Sequence, residues 1–347
     1  MLKGKTIVIT GGTTGIGAAA VKLFAENRGN VVFIGRKEDV GKALEKEIAA
    51  RYPESCVRYR KVDVSAEEDV KVLAEYVEKE FGGCEVLFNN AGIHLAGKLL
   101  ETPPADFDRI MSVDCRGVYL ACYYFLPMML KKQYGTIINM SSVSGILADY
   151  SMAAYNTAKG AVTNLTRAIA IDYADQGIRA NAICPGAVRT EMLEYTFRKI
   201  SHAEKANREA YPTHTFALPE EIAEVALFLA ARKVDFLNGT NIPVDGGISR
   251  INVKLKSIDG TEINGCGPQI SEDSVQKLMD KLSVLEAGDV LVLAGSIPGS
   301  MPDDIYREIM RKLAGRGVMT VVDATKDLLV NVLEYHPFLV KANNHEL

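Results

Sequence analysis

The stretch TIVITGGTTGIGAAAVKLFAENR, Thr6–Arg28, decides the fold. Thr6 to Thr10 is apolar and β-branched and reads as a short strand. GGTTGIG follows, and Gly11, Gly15 and Gly17 permit a tight turn in which backbone N–H groups approach a pyrophosphate. GAAAVKLFAENR then has the pattern of a helix, whose N-terminus adds its dipole to an anion site. Ala18, Ala19 and Ala20 let that helix lie close on a sheet. A Gly-rich turn alone says little, but this one sits between a strand and a helix, as a dinucleotide site requires.

The same alternation continues for 250 residues. Strands are expected at Asn30–Ile34, Val57–Val62, Glu85–Phe88, Thr136–Met140, Arg179–Ile183 and Thr240–Val244. Helices are expected at Asp39–Tyr52, Ala66–Phe81, around 105–117 and 118–132, from Ala153 to Gln176, and at Pro219–Ala231. This order predicts right-handed crossovers and a doubly wound, Rossmann-type parallel sheet of about seven strands. Polar and small residues recur where the strands end: Asp63-Val64, Asn89-Asn90-Ala91-Gly92, and Pro185-Gly186-Ala187-Val188-Arg189-Thr190. The irregular stretch from Glu191 to Pro219 is the expected substrate lid.

The tip of the second strand reads Gly35-Arg36-Lys37. No acid stands at Gly35 to pair with a ribose 2′-hydroxyl, whereas Arg36 can pair with a 2′-phosphate. NADP(H) is therefore the expected cofactor, with NAD(H) as the alternative.

Chemistry concentrates in SVSGILADYSMAAYNTAK, Ser142–Lys159. Tyr155 and Lys159 are four apart on a helix and share a face, with Ser142 at the end of the neighbouring strand. A phenol titrates near pH ~10 and a cation one turn away lowers that value. Tyr155 then reads as a general acid/base, with Ser142 holding a substrate oxygen. On its own, a Tyr and a Lys four apart would be an ordinary helix surface; the context decides.

Composition sets outer limits. The chain has 347 residues, 48% hydrophobic and 24% charged, which fits a globular protein with length for two domains. A formal net charge of -4 gives no basic footprint for nucleic acid. The apolar run in MLKGKTIVITGG is too short for a signal peptide or membrane span. Six cysteines without CxxC pairs suggest free thiols and a cytoplasmic setting. Five scattered histidines show no metal-ligand spacing, so no metal is expected.

Residues 1–249 resemble the short-chain dehydrogenase/reductase family. The resemblance rests on TGGTTGIG (10–17), Asp63-Val64, NNAG (89–92), Ser142, Tyr155, Lys159, Pro185-Gly186 and VDGG (244–247). It implies an NAD(P)-dependent enzyme interconverting an alcohol and a ketone, a small-molecule substrate, and a homo-oligomer, tetramer or dimer. Tyr155 would be the acid/base, Lys159 would lower its pKa and hold the nicotinamide ribose, and Ser142 would position the carbonyl. The cofactor would lie on Gly11, Thr13, Thr14, Gly15, Ile16 and Gly17, on Arg36, and on the strand tips. There Asp63 and Val64 flank adenine, Asn90 meets the ribose beside Ala91 and Gly92, and Val188 and Thr190 follow Pro185 and Gly186. In place of the family's relay Asn, the chain has Asp114, in Val113-Asp114-Cys115-Arg116-Gly117. An ionised Asp accepts hydrogen bonds but donates none, and it would pair with Lys159.

From Arg250 that pattern stops, and a second α/β succession is expected over residues 250–347. It resembles the middle of a ribokinase-like sugar kinase of the 1-phosphofructokinase type, through RINVKLK (250–256), NGCGP (264–268), LAGSIPGSMP (293–302), VVDAT (321–325) and VKANNHEL (340–347). The stretch lacks that family's sugar-binding third and its Gly-rich segment with the catalytic base. It is therefore expected not to transfer phosphate. Sugar-phosphate kinase activity and a catalytically inert nucleotide-binding module stand as the alternative functions.

Overall fold

The structure, a computed structural model, describes residues 1–194, 204, 208–209, 211–249, 272–294, 304–323 and 330–341. The chain divides into two units, Met1–Ser249 and Arg250–Leu347.

The first unit alternates strands and helices. Its elements are β1 (Thr6–Thr10), α1 (Gly15–Glu26), β2 (Asn30–Gly35), α2 (Glu38–Arg51), β3 (Val57–Lys61), α3 (Glu67–Phe81) and β4 (Val86–Asn89). After these come α4 (Pro104–Ile110), α5 (Gly117–Lys131), β5 (Gly135–Met140), α6 (Ala153–Asp172), β6 (Ile178–Pro185), α7 (Pro219–Ala231) and β7 (Asn241–Val244). The seven strands run parallel in the order β3-β2-β1-β4-β5-β6-β7. The order reverses between β1 and β4. Ligands of such sheets bind in the crevice at that switch point, beyond the carboxyl ends of the strands.

Strand periodicity sorts the core into two layers. Val8, Val32 and Ile34 face one side with α3 residues Leu73 and Val77 and α5 residues Val118 and Phe125. Ile7, Ile9, Val31 and Phe33 face the other, against Val21 and Phe24 of α1 and Ile222 and Leu227 of α7. Both faces of the central strands are covered, so these strands read as continuous apolar runs and not as alternating ones. Each fully buried side chain of this size contributes roughly 1.5–3 kcal/mol of transfer free energy.

Most boundaries fall within two residues of the sequence expectation. The clear departure is at 105–132, where two separate helices were expected. Instead α4 runs into a π-helical turn, Met111–Arg116, which leads directly into α5. Gly117 keeps helical angles, φ −60° and ψ −40°, so it stops nothing. A π turn widens the helix by one residue and commonly marks a functional position. Here it carries Asp114, which is fully buried.

The described part of the second unit has helices α8 (Glu272–Leu282) and α9 (Ile305–Leu313) and strands β8 (Val290–Ala294), β9 (Met319–Asp323) and β10 (Leu339–Lys341). The strands form a parallel sheet in the order β10-β9-β8. Leu293, Val322, Ile309, Met310 and Leu313 form its core. In β8, Val290 and Val292 are exposed while Leu293 is buried. The motifs RINVKLK and NGCGP, most of LAGSIPGSMP and the stretch from 342 onward lie outside the described residues.

Each unit has its own core. Shortening the chain to Met1–Ser249 should therefore leave the thermal midpoint of the first unit's transition unchanged. Differential scanning calorimetry on both chains checks this; loss of the transition on shortening would contradict it.

Candidate active site

The glycine turn is built for close approach. A Cβ on Gly17 would sit 2.1 Å from the Gly11 carbonyl oxygen, so only glycine lets α1 begin against the turn. Thr14 caps α1 without a side-chain hydrogen bond, which leaves the first N–H groups of the helix facing the crevice. The tips of β1 and β4 are stitched together. Thr10 Oγ1 accepts from the N–H of Asn90 at 3.0 Å and of Ala91 at 2.9 Å. Asn90 Nδ2 donates to the carbonyls of Thr10 and Gly11, both at 3.1 Å. The Asn90 NH₂ group thus braces the turn.

A cavity of about 840 Å³ opens along this edge. Its lining brings together the sequence-predicted Gly11, Thr13, Thr14, Gly15, Ile16, Arg36, Asp63, Val64, Asn90, Ala91, Gly92, Asp114, Ser142, Tyr155, Lys159, Pro185, Gly186, Val188 and Thr190. Gly17 lies behind them in α1. Arg36 is exposed and makes no hydrogen bond or ion pair among the described residues; its charge helps hold the Asp63 carboxyl below its usual range, behind the two hydrogen bonds from Ser65. The extended crevice, uncapped helix start and free cation fit a dinucleotide.

At the other end of the cavity stand the residues of α6. Lys159 Nζ lies 3.1 Å from Asp114 Oδ2, with the two side chains 3% and 0% exposed. The ammonium also donates to the Met140 carbonyl at 3.1 Å. Asp114 Oδ1 accepts from the Ile93 N–H at 2.8 Å. A Cβ on Gly92 would come within 2.8 Å of Asp114 Oδ2, so the pair needs the missing side chain. Lys159 Nζ is 5.5 Å from the centre of the Tyr155 ring, and Ser142 stands on the phenol's side of the cavity, where it favours the ionised form.

A family profile described as enoyl-(acyl carrier protein) reductase matches residues 11–249. The chain belongs to the short-chain dehydrogenase/reductase family. It is 41% identical over 243 residues to meso-2,3-butanediol dehydrogenase of Serratia marcescens, covering 70% of this chain and 94% of that protein. It is 36% identical over 252 residues to 2,5-dichloro-2,5-cyclohexadiene-1,4-diol dehydrogenase of Sphingobium indicum, covering 72% and 99%. Among solved structures, levodione reductase matches with a TM-score of 0.69 at 31% identity, over 72% of this chain and 99% of that one. A structure described as ElxO with NADP bound matches with a TM-score of 0.66 at 32% identity, over 72% and 99%. Like its dehydrogenase relatives, the chain is an oxidoreductase acting on CH–OH groups with a nicotinamide cofactor.

The electrostatics of this reductase site differ from the simple expectation at Tyr155. Burial is the largest influence and pushes its phenol up; Lys159 pulls it down, Asp114 pushes it up again, and the Ser142 hydrogen bond lowers it. The net direction is upward, so the expected lowering by Lys159 does not prevail here. For Lys159, burial works against the charge, but Asp114 and then Tyr155 outweigh it and its pKa rises. Asp114 is also raised, by burial first, against the pull of Lys159. An ion pair would ordinarily lower its acid. The Asp114 carboxylate and the Met140 carbonyl surround the lysine's charge, so the proton stays on Lys159.

Among the cavity residues that sequence reading missed are His94, Ser144, Asp149 and Tyr211. His94 packs edge-on against Tyr155, ring centres 5.2 Å apart, and burial lowers its pKa, which keeps it neutral. Its place two residues after NNAG was the available signal. Of the expected lid, the described Tyr211 accepts from the Ala187 N–H at 2.6 Å. Asn139, which bonds Asn89 at 2.9 Å and Thr166 at 2.9 Å, braces the sheet beneath the site. The buried thiols are inert, pushed up to about 12 at Cys122 and about 11 at Cys184. No metal-binding cluster occurs among the described residues.

Asp114→Asn removes an anion that raises the Tyr155 phenol. Alcohol oxidation needs that phenol deprotonated, so activity rises as pH passes its pKa. A lower pKa moves the rising limb to lower pH. A pH profile of kcat/KM for both proteins checks the sign; an unmoved or alkaline-shifted limb contradicts it.

Proposed function

We propose that Met1–Ser249 interconverts a small secondary alcohol and its ketone, with NADP(H) preferred over NAD(H). The reading is carried by one juxtaposition: Tyr155 held between Ser142 and the buried Lys159–Asp114 pair, at the closed end of a dinucleotide-sized crevice. The relatives named above for small diols favour a small hydroxylated substrate.

The dinucleotide would rest on the Gly11–Gly17 turn, on Asp63 and Val64, and on Val188 and Thr190, with the Arg36 guanidinium toward a 2′-phosphate. A bound nicotinamide supplies the hydride chemistry that no side chain here possesses. The chain's residues manage the proton. In reduction the Tyr155 hydroxyl gives its proton to the substrate oxygen as negative charge develops there. Ser142 orients that oxygen by a hydrogen bond. Lys159, held charged by Asp114, stabilises the tyrosinate left behind. Oxidation runs the same transfers in reverse.

We assign this reaction to the first unit alone. For residues 250–347 the resemblance to a sugar kinase is an expectation from the sequence alone, and we propose no phosphoryl transfer for them.

Tyr155→Phe removes the proton donor and keeps the ring. Activity should fall by at least ~10²-fold, the usual scale of general acid–base help. Cofactor affinity, read by fluorescence quenching, should stay unchanged. A panel of meso-2,3-butanediol, cyclic diols and simple ketones, followed at the reduced-nicotinamide absorbance, is the assay. Retained activity in the variant would defeat the mechanism. Cofactor binding without turnover of any panel member would favour an inert module.

Arg36→Ala should weaken NADPH by ~1.5–3 kcal/mol, the worth of a hydrogen bond to a charged group. NADH should be nearly unaffected. Equal loss for both, or a wild-type preference for NADH in titration, would reduce Arg36 to a solvated surface charge.

A further inference from the structure

One carboxylate of the cavity lining keeps an oxygen without a partner. Asp149 is half-buried in that lining. Its Oδ2 accepts from the hydroxyl of Ser144, which is 4% exposed. Its Oδ1 accepts no hydrogen bond among the described residues, and no cation there pairs with its charge. Lys159 is committed to Asp114, and Arg36 and Lys37 stand at the tip of β2. Burial keeps His94 neutral. Ser144 Oγ lies 3.2 Å from Ser142 Oγ. The carboxylate is one hydrogen bond further on, so it stands within about 6 Å of Ser142.

The backbone of Asp149 is pinned to α6. Its N–H donates to Asn156 Oδ1 at 3.2 Å, and Asn156 Nδ2 donates to its carbonyl at 2.9 Å. Asn156 directly follows Tyr155, so the carboxylate keeps a fixed place relative to the phenol. Its charge reaches Tyr155, His94 and Tyr211, all of which line the same cavity. Tyr211 accepts from the Ala187 N–H at 2.6 Å, and its own proton has no acceptor among the described residues. A substrate that fills this space takes water from Asp149 Oδ1. An apolar group there leaves the oxygen without a donor, and an anion is repelled. An ammonium donates but has no lone pair to offer Tyr211. A hydroxyl both donates and accepts, and so satisfies the two together.

We propose that Asp149 Oδ1, with the Tyr211 hydroxyl, binds a second hydroxyl of the substrate, on the carbon next to the one that reacts. The substrates are then vicinal diols in oxidation and α-hydroxy ketones in reduction. The inference rests on the alcohol–ketone reaction proposed above and adds what else the molecule must carry. A vicinal diol bridges the gap between Ser142 and Asp149 with one hydrogen bond of about 2.8 Å at each end. One oxygen lies at Ser142 and reacts; the other lies at Asp149 and keeps its proton and its bond to carbon throughout. Asp149 is thus a specificity-determining residue that takes no part in the proton transfer.

The test compares meso-2,3-butanediol with 2-butanol in the full chain, as wild type, Asp149→Asn and Asp149→Leu. The quantity read is the ratio of kcat/KM for the diol to kcat/KM for the mono-alcohol. The wild type should prefer the diol. In Asp149→Leu, which keeps the bulk and no acceptor, the ratio should fall roughly 10- to 100-fold, the worth of a hydrogen bond to a charged group. In Asp149→Asn, which keeps a neutral acceptor, it should fall less. An unchanged ratio in both variants, or a wild type no faster on the diol than on 2-butanol, would overturn the proposal. So would 1-amino-2-propanol outrunning 1,2-propanediol, which would put an ammonium at Asp149. Loss of NADPH quenching in both variants would overturn it too, by making Asp149 a support of the fold. If Tyr155→Phe abolishes turnover while the Asp149 variants leave the ratio unmoved, the second-hydroxyl site fails and the acid/base reading stands. If Tyr155→Phe is active, both fall.

Discussion

A lysine ammonium and an aspartate carboxylate, 3.1 Å apart and both shut away from water, are the constraint around which the site is arranged. At an effective dielectric of about 20, their attraction is roughly 5 kcal/mol. Removing two charges from water costs several kcal/mol each, so the pair is not primarily a source of stability. Each ion also has a second partner. Met140 gives a carbonyl to Lys159, and Ile93 gives an N–H to Asp114. Gly92 leaves the room, and the π turn delivers the carboxylate. Removing either partner would strand a buried charge. Tyr155 therefore sits beside a fixed cation whose charge does not depend on a bound cofactor.

The sheet supplies the remaining geometry. Parallel strands place all their carboxyl ends on one edge, so the tips of β1, β4, β5 and β6 meet although they are far apart in sequence. β1 gives the glycine turn, β4 gives Asn90 to Gly92, β5 gives Ser142, and β6 gives the Val188–Thr190 segment. Burial on both faces keeps these tips rigid. Two hydrogen bonds from Asn90 Nδ2 and two to Thr10 Oγ1 then brace the turn.

Much of this was legible in the sequence because its signals are local. The strand–turn–helix of Thr6–Arg28, the four-residue spacing of Tyr155 and Lys159, and the Gly35-Arg36 tip each depend on a few neighbouring residues. Asp114 was legible as a partner for Lys159, through its departure from the family residue. Its delivery by a π turn was not, because that geometry follows from what Asp114 must reach across the site. The sign at Tyr155 was misjudged for a related reason. A neighbouring cation is visible in a sequence, whereas burial is a property of the fold, and here burial outweighs the cation. Ser144 and Asp149 went unnoticed because nothing in their spacing marks them; only the folded loops bring them into the cavity lining.

The account turns on Lys159 being a buried cation held by Asp114 before any cofactor binds. Nitrogen-15 NMR of the Lys159 side chain in the cofactor-free protein reads this directly. The Nζ signal should keep the shift of an ammonium from neutral pH to beyond the ordinary lysine pKa of ~10.4. In Asp114→Asn the same signal should titrate at lower pH, because burial then acts on Lys159 without its main opponent. A neutral amine at pH ~7 in the wild-type protein, where an ordinary lysine is charged, would contradict the account.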